Sequence, residues 1–426
     1  MSNSKRTILF IIPWLPYPMK SGGHQAIFNG IFVVKDQMDV SLVYEVYDRE
    51  EYERAIVEFK KLIPTAKHFP RFHIFKKPSV KRKVFDWLKS CAKSVSTIFH
   101  KVSSQPAIST IDDCEWWKTA ILPLKELWLL HIQKILNTQK FDIIQVEMPW
   151  LISQILTLPS YSKRIFVHHE IGIVRRKQEM EKLPKSPYVT AMKRFADFGE
   201  VGELNMYDAV VTLSSIDANK LKEAGVKVPV YSSFAIVTPT EECRFVKAVN
   251  RLTFVGSDVH TPNLIGIQWF LSNCWKELMN HNSQYSLSII GKWSQSNIDK
   301  IKTDYPNIEF LGFVEDLVSV LRGSVMIVPI TEGSGIRMKI LEAGFMGIPF
   351  ISTSVGAEGI PVVNGIHCFL ADTPACFVDS ITKLEDEDLQ KSIVTEARKM
   401  VEKHFSISSL KENRMEIYNK TLGLKS

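Results

Sequence analysis

The segment from Thr331 to Ala343 combines residue types that bind a negatively charged ligand. It holds a Gly-Ser-Gly turn at 333–335, two cations at Arg337 and Lys339, and a carboxylate at Glu342. Backbone N–H groups at a helix N-terminus favour an anion, and glycine lets the anion approach closely. Lys339 and Glu342 are three residues apart and share one face of a predicted helix. The set suits a nucleotide, with diphosphate on the cations and ribose on the carboxylate; the alternative is a capped, solvated helix with an ion pair.

A second candidate is the Gly22-Gly23 pair, which is followed by His24. It lies in a proline-rich loop at the carboxyl end of the first predicted strand, where glycine suits a phosphate. The pair lacks the full G-x-G-x-x-G or Walker pattern, so an ordinary turn is the alternative.

A third candidate is His168-His169-Glu170, which again follows a predicted strand. Adjacent side chains in an extended chain point to opposite faces. We therefore expect one histidine to line a cleft and the other to be structural. No further His, Cys or carboxylate is spaced to complete a metal site, so no metal is expected.

Composition limits the class of protein. The chain has 426 residues, of which 45% are hydrophobic and 23% charged, as in an ordinary soluble globular protein of about two to three domains. This balance excludes a disordered tail, a collagen-like fibre and a coiled coil. No apolar run approaches the ~20 residues of a membrane span, and none resembles a signal peptide, so a cytoplasmic location is expected. The six cysteines have no paired spacing and predict neither disulfides nor zinc.

Alternating strands and helices predict an α/β protein with two doubly wound parallel sheets facing a central cleft. We predict an amino-terminal Rossmann-like domain over 1–237, a carboxyl-terminal one over 238–405, and a final helix over 406–426 that crosses back. The stretch from about 50 to 140 is predicted to be helical and irregular. Ligands of such sheets bind at the carboxyl ends of the strands.

The carboxyl-terminal half closely resembles the donor domain of family 4 glycosyltransferases, which have the GT-B fold. The resemblance is most specific from about 251 to 370 and is weakest from 50 to 140. The ordered motifs that carry it are Phe254-Val255-Gly256, Ile290-Gly291, Gly312-Phe313-Val314, the segment 333–343, and Gly347-Ile348-Pro349 with Gly356-Ala357-Glu358-Gly359.

The resemblance implies a nucleotide-sugar donor (a UDP- or GDP-sugar), transfer with retention, no required metal or other cofactor, and a glycan or lipid-linked acceptor on the amino-terminal domain. The basic stretch of the chain lacks a recognised nucleic-acid-binding motif, so no nucleic acid partner is expected. The catalytic candidates are His169, Arg337 and Lys339. The donor-binding candidates are Gly22, Gly23, Gly256, Gly291, Phe313, Val314, Ser334, Gly335, Ile336 and Glu342. The acceptor-side candidates are His24, Glu147, His168 and Glu170.

Two departures from the family pattern concern the donor site. Ser334 stands where the first glutamate of the usual Glu-x7-Glu motif would be, which affects sugar selection. The stretch 257–263 also lacks the Arg and Lys that often hold the diphosphate there. A buried diphosphate without cations is costly, so we expect Arg337 and Lys339 to supply both charges.

Two alternatives to a transferase stay open at this point. A nucleotide-sugar epimerase can share the architecture and would use carboxylates such as Glu147 and Glu170 as acid and base. A non-catalytic sugar-nucleotide-binding relative would explain Ser334.

The positive charge of the chain is concentrated between Arg71 and Lys101. That segment has nine Lys or Arg and one acid, within a chain of net charge +7. Apolar positions between about 82 and 99 fall at roughly helical spacing among the lysines. A basic amphipathic helix of this kind docks on an anionic membrane surface; the alternative is packing of its apolar side on the amino-terminal domain. The first interpretation predicts a peripheral enzyme at the inner membrane face.

Overall fold

The amino-terminal half folds around a parallel sheet. The computed structural model describes residues 5–73, 125–234, 245–333 and 335–424. Within these ranges, seven strands lie in the order β3-β2-β1-β4-β5-β6-β7, and neighbouring strands are parallel. Their bounds are β1 (Arg6–Ile11), β2 (Met38–Val46), β3 (Lys67–Phe72), β4 (Ile143–Glu147), β5 (Lys163–His168), β6 (Ala209–Thr212) and β7 (Val230–Ser232).

Strand β1 shows why a continuous apolar run forms a strand that is covered on both faces. Successive side chains of a strand point to opposite faces of its sheet. Ile8 and Phe10 belong to one core cluster, whereas Leu9 and Ile11 belong to another. Full burial of each such side chain stabilises the fold by about 1.5–3 kcal/mol. The sheet therefore needs cover on both faces, as alternating strands and helices provide.

The helices of this half connect the parallel strands. Helix α1 begins at Gly22, three residues before its apolar periodicity starts, because the Ser21 side chain caps it by accepting from the N–H of His24. Gly22 and Gly23 thus lie in the first turn of a helix, and their predicted place in a loop is wrong. The helices are α1 (Gly22–Phe32), α2 (Arg49–Leu62), α3 (Glu126–Thr138), α4 (Gly172–Met180), α5 (Pro187–Leu204) and α6 (Ser215–Glu223), with a 3₁₀ helix at Pro149–Thr157.

The carboxyl-terminal half has its own parallel sheet, with described strands in the order β10-β9-β8-β11-β12-β13. The strands are β8 (Arg251–Val255), β9 (Ser286–Ile290), β10 (Ile308–Gly312), β11 (Val325–Val328), β12 (Phe350–Ser352) and β13 (Phe369–Leu370). The helices are α7 (Thr261–Phe270), α8 (Lys276–His281), α9 (Gln295–Asp304), α10 (Leu317–Leu321), α11 (Met338–Met346), α12 (Pro374–Lys383) and α13 (Glu387–His404), with a π-helical turn at Leu271–Trp275.

The last helix, α14 (Ile407–Leu422), packs against the amino-terminal domain. Leu410, Ile417 and Tyr418 belong to the core cluster that contains the α1 residues Ile27 and Ile31. A helix that follows the carboxyl-terminal domain in the chain therefore completes the core of the other domain. The predicted domain boundaries stay predictions, because residues 235–244 lie outside the described ranges.

Two strands differ from the sequence-based expectation. Strand β3 lies in the stretch that was predicted to be helical, and it contains Pro70. The strand forms the edge of its sheet, where a residue without an N–H group is tolerated. Strand β13 has only two residues, too few to leave a pattern. The amphipathic helix predicted within 82–99 lies outside the described residues.

Both sheets reverse their strand order at the first strand. β1 lies between β2 and β4, and β8 lies between β9 and β11. Such switch points open a ligand crevice at the carboxyl ends of the strands. Ile336 and Met338 pack against the cores of both domains, so the domains meet across this crevice. In the described ranges, no helix has both the length and the apolar composition needed to cross a bilayer.

Candidate active site

The glycine-rich turn after β11 contacts the amino-terminal domain directly. Gly335 has a φ of +82°, which favours glycine, and a Cβ there would lie 3.0 Å from the carbonyl oxygen of His169. The N–H of Gly333 donates to Oε1 of Gln178 in α4 at 3.1 Å. Ser334, between the two glycines, lies outside the described residues. The turn is therefore shaped to let the two backbones approach closely.

The helix after this turn begins at Met338, with Arg337 as its N-cap, so the predicted helix N-terminus at Gly335 is wrong. The positive φ values of Gly333 and Gly335 are incompatible with a helical turn. A Cβ on Gly22 would lie 3.0 Å from Cγ of Met338. The N-termini of α1 and α11 therefore meet between the domains. Because a helix N-terminus carries partial positive charge, this meeting point favours an anion.

Arg337 is a buried cation at the domain interface. Only 9% of the residue is exposed, and its Nη1 donates to the carbonyl oxygen of Gly335 at 2.5 Å. Burial lowers the pKa of the guanidinium, the charges of Glu170 and Glu358 oppose this change, and that of Arg175 adds to it. Arginine nevertheless stays protonated. The site thus holds a permanent positive charge in surroundings of low dielectric constant, where an anion is attracted most strongly.

Lys339 is a second cation whose charge depends on its surroundings. Its Nζ donates to Oδ1 of Asn263 at 3.0 Å and lies 4.3 Å from the ring centroid of Phe254. Burial lowers the pKa of Lys339 to about 7, with the charge of Arg337 acting in the same direction and that of Glu342 opposing it. An anion placed beside this amine would raise the pKa again.

Arg175, in α4 of the amino-terminal domain, is a cation that sequence reasoning missed. Its side chain is buried, and its Nε lies 3.1 Å from Oε1 of Glu170. A Cβ on Gly333 would lie 3.6 Å from Nη1 of Arg175 and 2.8 Å from Nη2 of Arg337. Both guanidinium groups therefore border the same turn. The sequence shows two adjacent arginines, Arg175 and Arg176, and their spacing does not reveal which one faces the cleft.

His260, in the loop after β8, lies close enough to all three cations for their charges to lower its pKa. Desolvation lowers its pKa to about 3, and the charges of Arg175, Arg337 and Lys339 act in the same direction. His260 is therefore neutral at physiological pH. We call Arg175, Arg337 and Lys339 the cation cluster. It brings positive charge to the loop after Gly256, which has no Arg or Lys of its own over 257–263.

Glu342 connects the carboxyl-terminal domain to α1. Its Oε1 accepts a hydrogen bond from Nε2 of Gln25 at 3.0 Å. Burial raises the pKa of Glu342, and the bond from Gln25 and the charge of Lys339 oppose this change. Since Glu342 and Arg337 lie at the interface of two domains, the alternative interpretation of a solvated surface helix is wrong.

His168 and His169 separate as expected for adjacent positions at a strand end. The Nε2 of His169 lies 2.7 Å from Oε2 of Glu147, and that of His168 lies 2.7 Å from Oε1 of Glu200. The His168 side chain is fully buried and pairs with Glu200. The prediction that His168 faces the acceptor is therefore wrong. Glu147 is also predicted on the acceptor side, but only 2% of its side chain is exposed. Glu147 itself lies inside the protein, where it pairs with the partly buried His169.

His24 is a neutral side chain in the first turn of α1. Its ring stacks on Trp14 with centroids 5.1 Å apart, and its Nδ1 lies 2.8 Å from Oγ of Ser21. Burial lowers the pKa of His24 to about 4, with the charge of Lys20 adding to the shift and that of Glu51 opposing it. The ring is therefore an oriented and uncharged group next to Gly22 and Gly23.

Two glycines of the predicted donor site lie at strand ends of the carboxyl-terminal sheet. Gly256 and Gly291 have φ values of +152° and +129°. A Cβ on Gly256 would lie 2.6 Å from Nδ2 of Asn263, and one on Gly291 would lie 2.6 Å from the carbonyl oxygen of Gly256. Their absent side chains let the strand ends pack closely around Asn263, which in turn accepts from Lys339.

The other predicted donor contacts differ in exposure. Phe313 is 77% exposed directly after β10. Val314 packs against the carboxyl-terminal core, and Ile336 packs against the cores of both domains. Phe313 thus presents an aromatic face to solvent, whereas Val314 and Ile336 face hydrophobic cores.

Ion pairs join the two domains along the cleft. The Nζ of Lys182 lies 2.8 Å from Oε2 of Glu332, and that of Lys220 lies 2.6 Å from Oε1 of Glu358. Partly exposed pairs of this kind typically contribute about 0–1 kcal/mol each. These two ion pairs therefore add little to the stability of the domain contact.

The arrangement can hold a nucleotide at the cation cluster, with Glu342 available for hydroxyl groups. Over the described part of the chain, no group of three or more His, Cys, Asp or Glu side chains is arranged to hold a metal ion.

Residues 249–387 match the family described as "Glycosyl transferases group 1". The matched segment contains Arg337, Lys339 and Glu342, together with Gly256, Gly291 and Phe313. The donor-site candidates of the carboxyl-terminal domain therefore fall within a recognised glycosyltransferase domain.

Sequence relatives extend this similarity. An uncharacterised 44.6 kDa protein in the cps region of Klebsiella pneumoniae is 22% identical over 273 residues, or 61% of this chain and 69% of the relative. The capsular polysaccharide biosynthesis glycosyltransferase CapM of Staphylococcus aureus is 28% identical over 157 residues, or 35% of this chain and 41% of CapM. The match to CapM thus spans less than half of either chain.

Solved structures resemble the whole chain. TarM of S. aureus covers 97% of this chain and 99% of its own, with a TM-score of 0.68 and 11% identity. HepE of Anabaena, in complex with UDP and glucose, covers 97% of this chain and 100% of its own, with a TM-score of 0.65 and 13% identity. At such identities the likeness establishes the fold alone.

The fold and the matched domain define a glycosyltransferase with the GT-B architecture. Residues 249–387 of its carboxyl-terminal domain match the model of the glycosyl transferases group 1. The predicted fold class and the predicted transferase class are therefore confirmed. The alternative of a nucleotide-sugar epimerase is not favoured by these matches.

Proposed function

We propose that this enzyme transfers a sugar, with retention of anomeric configuration, from a nucleotide-sugar to a glycan or lipid-linked saccharide. The product would enter a cell-surface polysaccharide or glycoconjugate. The observation that carries the proposal is the cation cluster. Its members Arg175, Arg337 and Lys339 lie together at the domain interface, on the side where Glu342 contacts Gln25.

The cation cluster would hold the diphosphate of the donor. When the sugar leaves, negative charge develops on the diphosphate, and buried positive groups stabilise that charge in the transition state. Arg175 comes from one domain and Arg337 and Lys339 from the other, so domain contact brings the full charge together. The N-termini of α1 and α11 add partial positive charge at the same place. With these charges, the proposed mechanism requires no metal.

The nucleoside would lie along the carboxyl ends of β8 to β11. In this proposal Glu342 accepts hydrogen bonds from ribose hydroxyls. The exposed ring of Phe313 and the backbone of Val314 meet the base. Gly256 and Gly291 let the nucleotide approach the backbone closely.

The chemical step would occur between the cation cluster and His169. The bond between the anomeric carbon and the diphosphate oxygen breaks, and the diphosphate takes the electron pair. The acceptor hydroxyl adds to the same face of the sugar, and its proton passes to the departing phosphate oxygen. His169 would position the sugar or stabilise the positive charge that develops on the ring.

The acceptor would bind on the amino-terminal domain, where His24 and Glu170 remain candidates. The names of relatives support a saccharide: CapM is a capsular polysaccharide glycosyltransferase, and another relative is encoded in a cps region. The proposal that the basic segment 71–101 docks on an anionic membrane surface rests on sequence pattern. It would place a cytoplasmic enzyme beside lipid-linked acceptors.

Nucleotide binding is the first test. HepE and TarM were solved with UDP, and HepE also with UDP-glucose, so we would begin with these ligands. UDP or GDP should raise the melting temperature, because a ligand at 100 times its Kd stabilises the folded state by about 2.7 kcal/mol. UMP is a matched control: it lacks the second phosphate and should stabilise the protein less.

Incubation with a nucleotide-sugar, with product analysis beside the binding measurement, distinguishes the candidate functions. Release of UDP or GDP from a nucleotide-sugar supports a transferase that hydrolyses its donor slowly without acceptor. Binding without release, even with saccharide acceptors present, indicates a non-catalytic relative. Conversion of the donor into its epimer with the nucleotide still attached indicates an epimerase. Absence of binding by any nucleoside diphosphate contradicts the proposal.

Replacing Glu342 with alanine should weaken nucleotide binding, because the ribose hydroxyls lose their acceptor. The expected loss is about 1.5 kcal/mol, near tenfold in Kd, for one hydrogen bond to a charged group. Glu342→Gln keeps an acceptor oxygen and should fall between the wild type and Glu342→Ala. Isothermal titration with UDP measures the three affinities.

The control for Glu342→Ala is Glu358→Ala. Glu358 also bridges the domains, by its ion pair with Lys220, but it has no proposed contact with ribose. Equal losses in the two variants would mean that Glu342 acts only by holding the domains together.

A further inference from the structure

We propose that Tyr418, Gln145 and Glu147 form a buried hydrogen-bonded relay that positions His169, so that docking of the final helix sets the working orientation of this histidine. The inference rests on the proposed function only in giving His169 a place beside the donor sugar. These three residues are positioning residues, because each acts on the sugar through His169.

The relay is continuous from α14 to the end of β5. The hydroxyl of Tyr418 donates to Oε1 of Gln145 at 2.6 Å. The Nε2 of Gln145 donates to Oε1 of Glu147 at 2.7 Å. The other carboxylate oxygen, Oε2, lies 2.7 Å from Nε2 of His169. Tyr418 and Glu147 are each 1% exposed and Gln145 is fully buried, so no solvent competes for these bonds.

The order of donors and acceptors determines the state of His169. Because the amide oxygen of Gln145 accepts from the tyrosine hydroxyl, its NH₂ group must face Glu147. An ionised Glu147 can only accept, so Nε2 of His169 carries a hydrogen and donates to Oε2. In the neutral imidazole, Nδ1 then holds the lone pair. The relay therefore selects one of the two neutral tautomers and holds the ring in one plane.

The composition of β4 indicates that the relay is more than core packing. The strand reads Ile143-Ile144-Gln145-Val146-Glu147, and all five residues are buried. Gln145 and Glu147 are two apart, so both point to the same face of the sheet. Apolar residues at these two positions would pack in the core without the cost of burying an amide and a carboxylate. Packing alone therefore does not explain an amide and a carboxylate at these two positions.

A second buried charge lies at the other end of the relay. Arg414, one turn before Tyr418 in α14, is 3% exposed, and its positive charge acts on the tyrosine hydroxyl. Burial raises the pKa of Tyr418 and the charge of Arg414 opposes the shift. The hydroxyl therefore stays protonated and available to donate. The cation of Arg414 and the carboxylate of Glu147 balance each other in charge across the buried chain.

The relay connects two parts of the chain that are remote in sequence. Tyr418 follows the carboxyl-terminal domain, but its ring packs in the amino-terminal core. If α14 leaves this position, Gln145 loses its donor, its amide is free to rotate, and Glu147 can lose its partner. His169 is then free to adopt the other tautomer. Attachment of the final helix would thus be required for an ordered His169.

The test uses Tyr418→Phe, which removes one hydroxyl and keeps the ring. Protein labelled with ¹⁵N-histidine reports tautomers directly by NMR, with the His169 signal assigned through His169→Gln. We expect the wild type to show hydrogen on Nε2, and Tyr418→Phe to show a mixture of tautomers. Release of UDP from UDP-glucose should fall roughly three- to tenfold in kcat, the size of one net hydrogen bond, while UDP affinity is unchanged.

Matched controls make the same chemical changes away from His169. Tyr285 is also a buried tyrosine that donates to a polar side chain, Glu385, at 2.6 Å, but in the carboxyl-terminal domain. Tyr285→Phe should leave the histidine spectrum and kcat at wild-type values. Gln145→Met interrupts the relay at its centre. Gln390→Met removes another fully buried glutamine as its control.

The outcomes separate the relay from the proposed function. If no nucleotide-sugar is turned over by any form, the proposed function fails, but the tautomer of His169 still decides the relay. An unchanged His169 spectrum in folded Tyr418→Phe or Gln145→Met overturns the relay, whatever the activity. Failure of both variants to fold, with folded Tyr285→Phe and Gln390→Met, would assign the network to stability alone and also overturn it.

Discussion

Arg337→Ala should lower the rate of sugar transfer by roughly 10²- to 10³-fold, the usual loss when one preorganised group that stabilises transition-state charge is removed. Arg337 is buried at the domain interface, so no solvent ion can replace it easily. Its charge is attracted by Glu170 and Glu358 and repelled by Arg175, so these contributions partly offset each other. We therefore expect the variant to fold while its turnover falls strongly.

Two comparisons make this result specific. Arg337→Lys keeps the charge but loses the two-pronged geometry of a guanidinium, so it should recover only part of the activity. Arg322→Ala removes an exposed arginine of the same domain and should behave as the wild type. Turnover is measured as nucleotide released from the donor in the presence of acceptor. Wild-type rates in Arg337→Ala would remove Arg337 from the diphosphate site.

Lys339→Met should weaken UDP binding by roughly 10- to 100-fold below pH 7. The reason is that a lost hydrogen bond to a charged group costs about 1.5–3 kcal/mol. The pKa of Lys339 is lowered to about 7 in the unliganded site, by burial and by the charge of Arg337. A bound diphosphate favours the protonated amine and raises this pKa. UDP should therefore bind most tightly below pH 7, and its affinity should fall as the pH rises through and above 7.

The same linkage predicts that UDP binding takes up protons near neutral pH. Titration calorimetry in buffers of different ionisation enthalpy measures this uptake. Lys339→Met should take up fewer protons, and what remains belongs to the nucleotide itself and to other groups. The His260 pKa is lowered to about 3, so this ring stays neutral in the relevant range. If the wild type and Lys339→Met show identical pH dependence, Lys339 does not contact the phosphate.

Much of the fold follows from local pattern. In β8 (Arg251–Val255) and β9 (Ser286–Ile290), short apolar runs are bounded by polar residues or glycine, a pattern that marks a buried strand. Strand β3 was missed, since an edge strand with Pro70 and three basic residues does not show the pattern of a buried strand. The start of α1 was also missed, because its first turn is stabilised by the Ser21 cap and not by apolar periodicity.

The donor side of the site was more predictable than the acceptor side. Arg337, Lys339 and Glu342 lie within six residues of the chain, directly after the Gly-Ser-Gly turn, so local spacing indicates their common surface. Arg175 belongs to another domain. Only the packing of α4 determines that Arg175, and not the adjacent Arg176, faces the cleft. Glu147 was expected to face the cleft, but Gln145 and His169 hold it inside.

The sequence by itself determined the two doubly wound domains, the glycine-rich turn and the chemical type of its neighbours, because these depend on interactions between residues close in the chain. Tertiary structure alone decided which cations share the cleft, which histidine is buried, and that Tyr418 reaches His169 through Gln145 and Glu147. These outcomes depend on contacts between residues up to 273 positions apart, and neither periodicity nor spacing records such contacts. They are decided by which buried polar groups can pair once the two sheets and the final helix have packed.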